Sequence, residues 1–379
     1  MTDPSRPKHA ALARPDFGEW ARHELAIVGA PCAVIQSLVA CLTAALAPAL
    51  RLGYVDADHA AADADASALP LSGPWVEVTD YQHFRRRDER RPLDRFAQTE
   101  LLVGADLVLV NGNHFRARQQ LVIIDPRKPL THKLDRLTNV LALLLTEGVT
   151  EIPAELQPFA HNKPVLQLAD KEGIIRLLHN WLQTRRPPLR GLVLAGGQSQ
   201  RMQTDKGQLH YQAGREQRAV AAALLAAECA DVFVSCRADQ TAALPAGLAP
   251  LPDQFLGLGP LGGILTAMQR DPNAAWLVLA CDLPFLSAAT LRQLVAARQP
   301  GRLATAFQSP GSAFPEPLIT IFEPAAYPAL LHFLSLGYAC PRKMLINSDI
   351  ALLPPPVPDE LRNINTPEER AAAMRELNC

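Results

Sequence analysis

The chain has 379 residues, of which 48% are hydrophobic and 20% are charged, and its formal net charge is -1 at pH 7. This length favours two globular domains, and the balanced charge argues against a nucleic acid or an anionic membrane as a partner. Seven cysteines without C-x-x-C spacing favour neither a zinc site nor a disulfide framework, and no apolar run is long enough to span a membrane, so we expect a cytoplasmic protein.

The first half alternates short apolar runs with longer helical patterns, which is typical of a mainly parallel α/β sheet with helices on both faces. Helices are predicted over Ile35–Leu46, which should end before Pro48, and over Leu134–Leu145, where leucines recur at helical spacing. Arginines between Arg85 and Arg95 alternate with acids and predict a solvated face. Strands are expected at Leu25–Val28, Gly53–Asp56, Trp75–Val78, Leu107–Val110 and Leu121–Ile124.

A domain boundary is predicted where a helical pattern ends at Leu182. Pro187 and Pro188 follow and prevent a helix from continuing. We therefore expect a first domain over residues 1–183, a linker over 184–189 and a second domain over 190–379.

The second half repeats the strand and helix alternation and ends in a helix with clear start signals. Thr366 can cap that helix, Pro367 suits its first position, and Glu369 completes a capping box. Strands are expected at Gly191–Leu194, Val232–Ser235, Trp276–Ala280, Leu303–Phe307 and Leu318–Phe322.

A glycine-rich loop follows the strand that ends at Leu194. Open α/β sheets bind ligands at this carboxyl edge, and Gly196 and Gly197 allow backbone N–H groups to approach phosphate oxygens. Arg201 and Lys206 add positive charge that suits a triphosphate. A glycine pair alone more often makes a tight turn, so the loop needs support from other motifs.

Two aspartates are predicted at the same edge. Asp282 comes directly after the strand at Trp276–Ala280, where it either caps a turn or holds Mg²⁺, which needs only one or two carboxylates beside phosphate oxygens. Asp253 precedes the glycine-rich run 257–264 and offers a second acid or an acceptor for a ribose hydroxyl, or is an ordinary loop aspartate.

These motifs together resemble the molybdenum cofactor guanylyltransferases. The resemblance extends over nearly all of residues 190–379 and consists of LAGGQSQRMQTDKG (194–207), Asp253 with GLGPLGGI (257–264), CDLP (281–284) and NINTPE (363–368). It implies a Rossmann-like fold that binds GTP, with Mg²⁺ or Mn²⁺ on Asp282 and with Arg201, Lys206 and Asp282 as catalytic residues. The predicted nucleotide-binding residues are Leu194, Ala195, Gly196, Gly197, Ser199, Lys206, Asp253, Gly262 and Asp282.

The acceptor side of the resemblance lies near the C-terminus. Arg342 and Lys343 match a short basic segment that is expected to hold the pterin phosphate, although a surface basic pair is an equal alternative. Asn363 and Asn365 match the family's acceptor-site asparagines, or satisfy a turn. The chain departs from the family at Gln203, where glycine is usual, and at residues 235–237, where an asparagine is expected.

The first half partly resembles the P-loop GTP-binding adaptor of molybdopterin guanine dinucleotide synthesis, over residues 24–150. Its loop after Val28 lacks the lysine that would contact phosphates, and Asn111 replaces an acid. We therefore expect a degenerate adaptor domain that serves in docking, dimerisation or substrate channelling.

The resemblance implies an enzyme that transfers GMP from GTP to the phosphate of a molybdopterin-type cofactor and releases pyrophosphate, with molybdoenzyme recipients or their chaperones as further partners. The Gly196-Gly197 pair favours guanine, because cytidylyl relatives usually carry alanine there. A cytidylyl or sugar-phosphate nucleotidyltransferase, and a non-catalytic cofactor-binding adaptor, are the alternatives.

Overall fold

The computed structural model describes residues 11–57, 76–89, 95–196, 209–211 and 214–377. The described part of the chain divides into two compact units, one within residues 16–185 and one that begins at Arg186 and also contains residues 11–15. The predicted loop residues Gly197, Ser199, Arg201 and Lys206 lie outside the described residues.

The first unit contains a parallel sheet of six strands in its described part, in the order β2-β5-β1-β6-β7-β8. Strand β1 lies inside the sheet, and all five of its residues are buried, which is expected when helices cover both faces. The elements are β1 Glu24–Val28, α1 Cys32–Leu46, β2 Leu52–Val55, β3 Val76–Tyr81, β4 Phe84–Glu89, α2 Arg95–Leu102, β5 Leu107–Asn111, β6 Gln119–Ile124, β7 Val140–Leu145, α3 Gln157–Ala160, β8 Val165–Gln167 and α4 Lys171–Gln183.

The predicted helix over Leu134–Leu145 is wrong. One short 3-10 turn covers Leu134–Arg136, and β7 follows as a strand of the parallel sheet. Because both faces of β7 are covered, nearly all of its residues are apolar. The resulting leucine spacing also fits a helical period, and this led to the wrong prediction.

Strands β3 and β4 form an antiparallel hairpin outside the parallel sheet. The sequence predicted a strand at Trp75–Val78 but not the second strand that completes the hairpin. Arg85, Arg86 and Arg87 are exposed on β4, and each pairs with a nearby acid. The arginine-rich stretch is therefore a solvated face in its described part, as expected.

The second unit contains a mixed sheet of seven strands in its described part, in the order β11-β10-β9-β12-β14-β13-β15. The first four strands in this order are parallel, and β14 runs antiparallel to both of its neighbours. The elements are β9 Leu189–Leu194, α5 Gln217–Ala226, β10 Val232–Cys236, β11 Ala249–Pro252, α6 Pro260–Arg270, β12 Ala275–Ala280, α7 Ala288–Ala296, β13 Ala304–Gln308, β14 Pro315–Phe322, α8 Ala326–Ser335, α9 Pro341–Ile346, β15 Ala351–Leu353 and α10 Pro367–Leu377.

Helices cover both faces of this second sheet. Trp276 of β12 packs with residues of α6, α8 and α9, whereas its neighbour Leu277 packs with residues of α5 and α7. Alternate side chains of one strand therefore enter two separate cores. This arrangement of helices confirms the predicted α/β class. Because the helices cover both faces of the sheet, only the ends of its strands remain uncovered by them. Among the described residues, no helix combines the length and apolarity that crossing a membrane requires.

Candidate functional site

A cavity of about 680 Å³ opens at the carboxyl ends of the central parallel strands of the second unit. The parallel order β10-β9-β12 brings the segments that follow these strands to one edge of the sheet. Leu194, Ala195, Gly196, Asp253 and Asp282 line this cavity, and all five were predicted to bind the nucleotide. Sequence reasoning did not identify Ser235, Arg237, Phe255, Leu256 and Leu318, which line it as well.

Gly196 is the last described residue of the glycine-rich loop. A Cβ atom at this position would lie 3.1 Å from Asp253 Oδ2 and 3.3 Å from the Cα atom of Cys236. A side chain would therefore push the carboxylate or the neighbouring strand aside. The preceding N–H, of Ala195, donates to the carbonyl of Ser235 at 3.1 Å, so the start of the loop stays joined to the sheet.

Asp253 is fixed by two contacts at the end of β10. The hydroxyl of Ser235 donates to Asp253 Oδ1 at 2.7 Å, and the backbone N–H of Asp253 donates to the carbonyl of Cys236 at 2.9 Å. Burial raises the pKa of this carboxyl, and the hydrogen bond from Ser235 opposes that rise. The Asp253 carboxylate is therefore held in one position at the cavity wall, where a nearby cation would offset the cost of burying its charge.

The two adjacent glycines of α6 serve close packing. A Cβ on Gly262 would lie 2.2 Å from the carbonyl oxygen of Phe255, and one on Gly263 would lie 2.4 Å from Ser235 Oγ. Both positions are buried. The predicted nucleotide-binding residue Gly262 thus lies inside the helix, where its lack of a side chain allows α6 to approach the loop that carries Asp253.

The N-terminus of α6 faces the cavity through Gly257, Gly259 and Pro260. Gly259 precedes the helix with a φ of 55°, a conformation that favours glycine. Pro260 at the first position lacks an N–H and the N–H of Gly262 donates to the carbonyl of Gly259 at 3.0 Å, but the helix dipole favours an anion at this end. The loop before the helix is tied down by Thr266, whose hydroxyl accepts from the N–H of Gln254 at 2.9 Å.

Asp282 follows β12 and lines the same cavity as Asp253. Its backbone carbonyl accepts the N–H of Ile364 at 3.0 Å, which connects it to the predicted acceptor segment. Among the described residues, no group of three or more His, Cys, Asp or Glu side chains is placed to hold a metal ion. Two cavity-lining carboxylates do fit Mg²⁺ or Mn²⁺ bound jointly with a triphosphate, because Mg²⁺ usually keeps water and phosphate oxygens among its ligands.

The predicted acceptor asparagines flank Ile364. Asn363 Oδ1 is buried without a hydrogen-bond partner among the described residues, whereas the N–H of Asn365 donates to Glu369 at 2.6 Å. The predicted capping box is confirmed, since the N–H of Glu369 donates to the Thr366 hydroxyl and its carboxylate accepts from the N–H of Thr366, both at 3.2 Å. The helix α10 therefore begins where the sequence indicated.

Arg342 and Lys343 have different surroundings on α9. One guanidinium nitrogen of Arg342 donates to buried Glu316 at 3.2 Å and to Ser309 at 3.4 Å. Lys343 is exposed, with its ammonium 4.6 Å from the centre of the Tyr338 ring. Because β14 is antiparallel to β12, Glu316 near the start of β14 lies at the same edge of the sheet as Asp282. This brings Arg342, but not Lys343, to a strand end at that edge.

Comparisons with known proteins agree with these motifs. Residues 191–352 match the family model of the MobA-like NTP transferase domain. A probable molybdenum cofactor guanylyltransferase from Nostoc is 31% identical over an alignment of 211 residues that covers 50% of this chain and 92% of that protein. The molybdenum cofactor biosynthesis bifunctional protein of Synechocystis is 37% identical over 183 residues, 48% of this chain and 52% of that protein, so the match spans about half of its length.

Among solved structures, molybdopterin-guanine dinucleotide biosynthesis protein A from Archaeoglobus fulgidus is similar with a TM-score of 0.43 and 20% identity, covering 50% of this chain and 98% of that one. The family match extends over the region that carries the cavity and its aspartates, and this chain covers 92% of the Nostoc relative. This chain therefore belongs to the MobA-like NTP transferase family, and it is a nucleotidyltransferase.

Proposed function

We propose that the enzyme transfers GMP from GTP to the phosphate of a molybdopterin-type cofactor and releases pyrophosphate. The observation that carries this proposal is the placement of Asp253 and Asp282 on one cavity with Gly196 and the N-terminus of α6. The names of the relatives from Nostoc and Synechocystis support the acceptor, because both concern the molybdenum cofactor.

The cavity suits a nucleoside triphosphate. Its volume of about 680 Å³ falls in the range that small-molecule sites occupy. Phe255, Leu256 and Leu318 supply apolar walls for a base and sugar. The phosphates would lie at Gly196 and the first turn of α6, since these places offer close backbone approach and a favourable dipole.

Asp282, aided by Asp253, would hold the divalent metal against the triphosphate. When bound there, Mg²⁺ or Mn²⁺ neutralises phosphate charge and polarises the α-phosphoryl group. Arg201 and Lys206 are proposed to add positive charge from the glycine-rich loop, where charge develops on the phosphate oxygens.

The acceptor phosphate is proposed to attack the α-phosphorus in line, so that a new P–O bond forms as the bond to pyrophosphate breaks. A phosphate is ionised at neutral pH and needs no strong protein base. Arg342, Lys343, Asn363 and Asn365 are the proposed acceptor residues. The pairing of Arg342 with Glu316 and the backbone contact from Ile364 to Asp282 support an acceptor site at this edge.

The test is pyrophosphate release from GTP in the presence of Mg²⁺ and a molybdopterin-type acceptor. We expect Asp282→Ala and Lys206→Ala to lower the rate by about a hundredfold or more, because each removes charge stabilisation from the reacting phosphates. Asp231→Ala is the matched control, since exposed Asp231 precedes β10 and lies at the opposite edge of the sheet. Wild-type turnover in Asp282→Ala would exclude the proposed metal ligand.

A further inference from the structure

A second group of chemically reactive side chains lies in the first unit, outside the transferase region. Strands β2, β5 and β1 are neighbours and parallel, so the segments that follow them meet at one edge of the sheet. Asp56 follows β2, His114 follows β5, and Cys32 begins the helix that follows β1. Three segments distant in sequence thus bring a thiol, an imidazole and a carboxylate together.

Both the thiol and the carboxylate lie near the same nitrogen of the imidazole. Cys32 Sγ lies 3.3 Å from His114 Nε2, and Asp56 Oδ1 lies 3.8 Å from the same atom. A thiol within reach of an imidazole can transfer its proton to it, and a carboxylate beside that nitrogen favours the protonated ring.

Asp56 is held in place by its own donors. The hydroxyl of Tyr54 donates to it at 2.6 Å, the amide of Asn111 at 2.8 Å and the amide of Gln36 at 3.0 Å. These hydrogen bonds lower the pKa of Asp56 against the opposing effect of burial. The carboxylate is therefore a charged, fixed neighbour for His114.

Cys32 begins α1 and has polar neighbours. It is the first residue of this helix of 15 residues. The amide nitrogen of Asn113 is 3.6 Å from Cys32 Sγ. The ammonium of Lys133 donates to the carbonyl of the same Asn113 at 3.0 Å.

Asn113 gives an independent indication that a ligand binds here. Its side chain is buried, with an exposed fraction of 7% for the residue, and its amide nitrogen donates to the carbonyl of Ala30 at 2.8 Å. Its Oδ1 atom is buried and has no hydrogen-bond partner among the described residues. A buried acceptor beside the thiol suits a donor group on an incoming molecule.

We propose that Cys32 is a nucleophilic thiol that undergoes exchange with low-molecular-weight disulfides, with His114 as its base and the Asp56 carboxylate as the charge that stabilises the protonated ring. The proton of Cys32 passes to His114 Nε2 while Sγ attacks one sulfur of the disulfide. A new S–S bond forms to Cys32, the original S–S bond breaks, and its electron pair leaves on the released thiolate. Cys32 is oxidised and the released sulfur is reduced, so the step is balanced.

The experiment treats the full-length protein with oxidised glutathione at neutral pH and follows each cysteine by mass spectrometry over time. Cys41 is the internal reference, because it lies on the same helix and is half-buried like Cys32. Trypsin leaves both cysteines on one peptide, which ends at Arg51, so fragment ions must assign the modified residue. We expect Cys32 to react about tenfold faster than Cys41 or more.

His114→Gln should bring the ratio of the two rates to within about threefold, because the thiol then loses its base. His132→Gln is the matched control, since His132 is exposed in the same unit, and its ratio should equal that of the native protein. The proposal is overturned if native Cys32 reacts no faster than Cys41, or if His114→Gln leaves the ratio unchanged. Because both cysteines are measured in the same sample, general unfolding would accelerate both and is distinguished from a specific effect.

Discussion

The hydroxyl of Ser235 donates a 2.7 Å hydrogen bond to Asp253 Oδ1 at the wall of the cavity. This bond joins the end of β10 to the loop that follows β11. Gly263 of α6 leaves the space that Ser235 Oγ requires, since a Cβ there would be only 2.4 Å away. Ser235 stands in the region where the family's asparagine is expected, so here a hydroxyl supports the acid of the proposed nucleotide site.

Ser235→Ala should weaken nucleotide binding. Asp253 would keep its backbone contact but lose its side-chain donor, and a lost hydrogen bond of this kind corresponds to about a fivefold change in affinity. Titration calorimetry with GTP and Mg²⁺ measures the change. Ser335→Ala is the control, because Ser335 is exposed on α8 and its hydroxyl donates only to the carbonyl of His332 within its own helix. Equal affinities in both variants would show that Ser235 has no part in the site.

Asp253→Asn should stabilise the fold and weaken nucleotide binding. The raised pKa of Asp253 means that its charged form is disfavoured in the folded state, so ionisation costs stability as pH rises through that pKa. The variant should therefore have the higher free energy of unfolding at about pH 7, and the difference should shrink toward about pH 4. Urea unfolding across this range is the measurement. If Asp253→Asn is less stable than the native protein at neutral pH, burial of the charged carboxylate does not carry the cost assigned to it.

Gly263→Ala should destabilise the second unit by about 1–3 kcal/mol, because the added methyl meets Ser235 Oγ and Leu194 in a packed interface. Nucleotide affinity should fall as well, since Ser235 must move away from Asp253. Gly104→Ala provides the comparison, as a Cβ at exposed Gly104 has no atom within 4 Å. Similar unfolding free energies for the two variants would contradict the packing role.

Acid should destabilise the first unit through His23. Burial and the charges of Arg22 and Arg185 lower the pKa of His23 from 6.5 to about 4, so the fold favours neutral imidazole. This stability is present above pH 6.5 and is lost as pH falls toward the folded value, to a total of about 3 kcal/mol. His23→Gln should flatten the pH dependence of unfolding, whereas His179→Gln, at an exposed position of α4, should not. Identical profiles for all three proteins would refute the assignment.

The sequence predicted several of the residues that line the cavity, because the motifs that carry them are local. Gly196 and Asp282 each follow an apolar strand directly, and the parallel order of those strands brings them to one cavity. The partner of Arg342 could not be predicted in this way, since Glu316 is reached only through the packing of α9 against β14. The same limit applies to Ser235, whose role depends on the close approach of α6.

The errors in the fold have related causes. The leucines of Leu134–Leu145 have helical spacing, yet β7 is a strand because neighbouring strands supply its hydrogen bonds. Strand β11 was not predicted because it contains Pro250 and Pro252, which sheets accept at an edge, where β11 lies. In both cases the structure depends on a neighbouring strand that is distant in sequence.

The most direct test of the central claim is calorimetric titration of the full-length protein with GTP, CTP, ATP and UTP in Mg²⁺, repeated with Asp282→Ala. We expect the native protein to prefer GTP, its binding to depend on Mg²⁺, and Asp282→Ala to lose this dependence. Preference for CTP or another triphosphate would contradict guanylyl transfer and indicate a different nucleotidyl donor. Absence of binding to any of the four would contradict the assignment of the cavity as the nucleotide site.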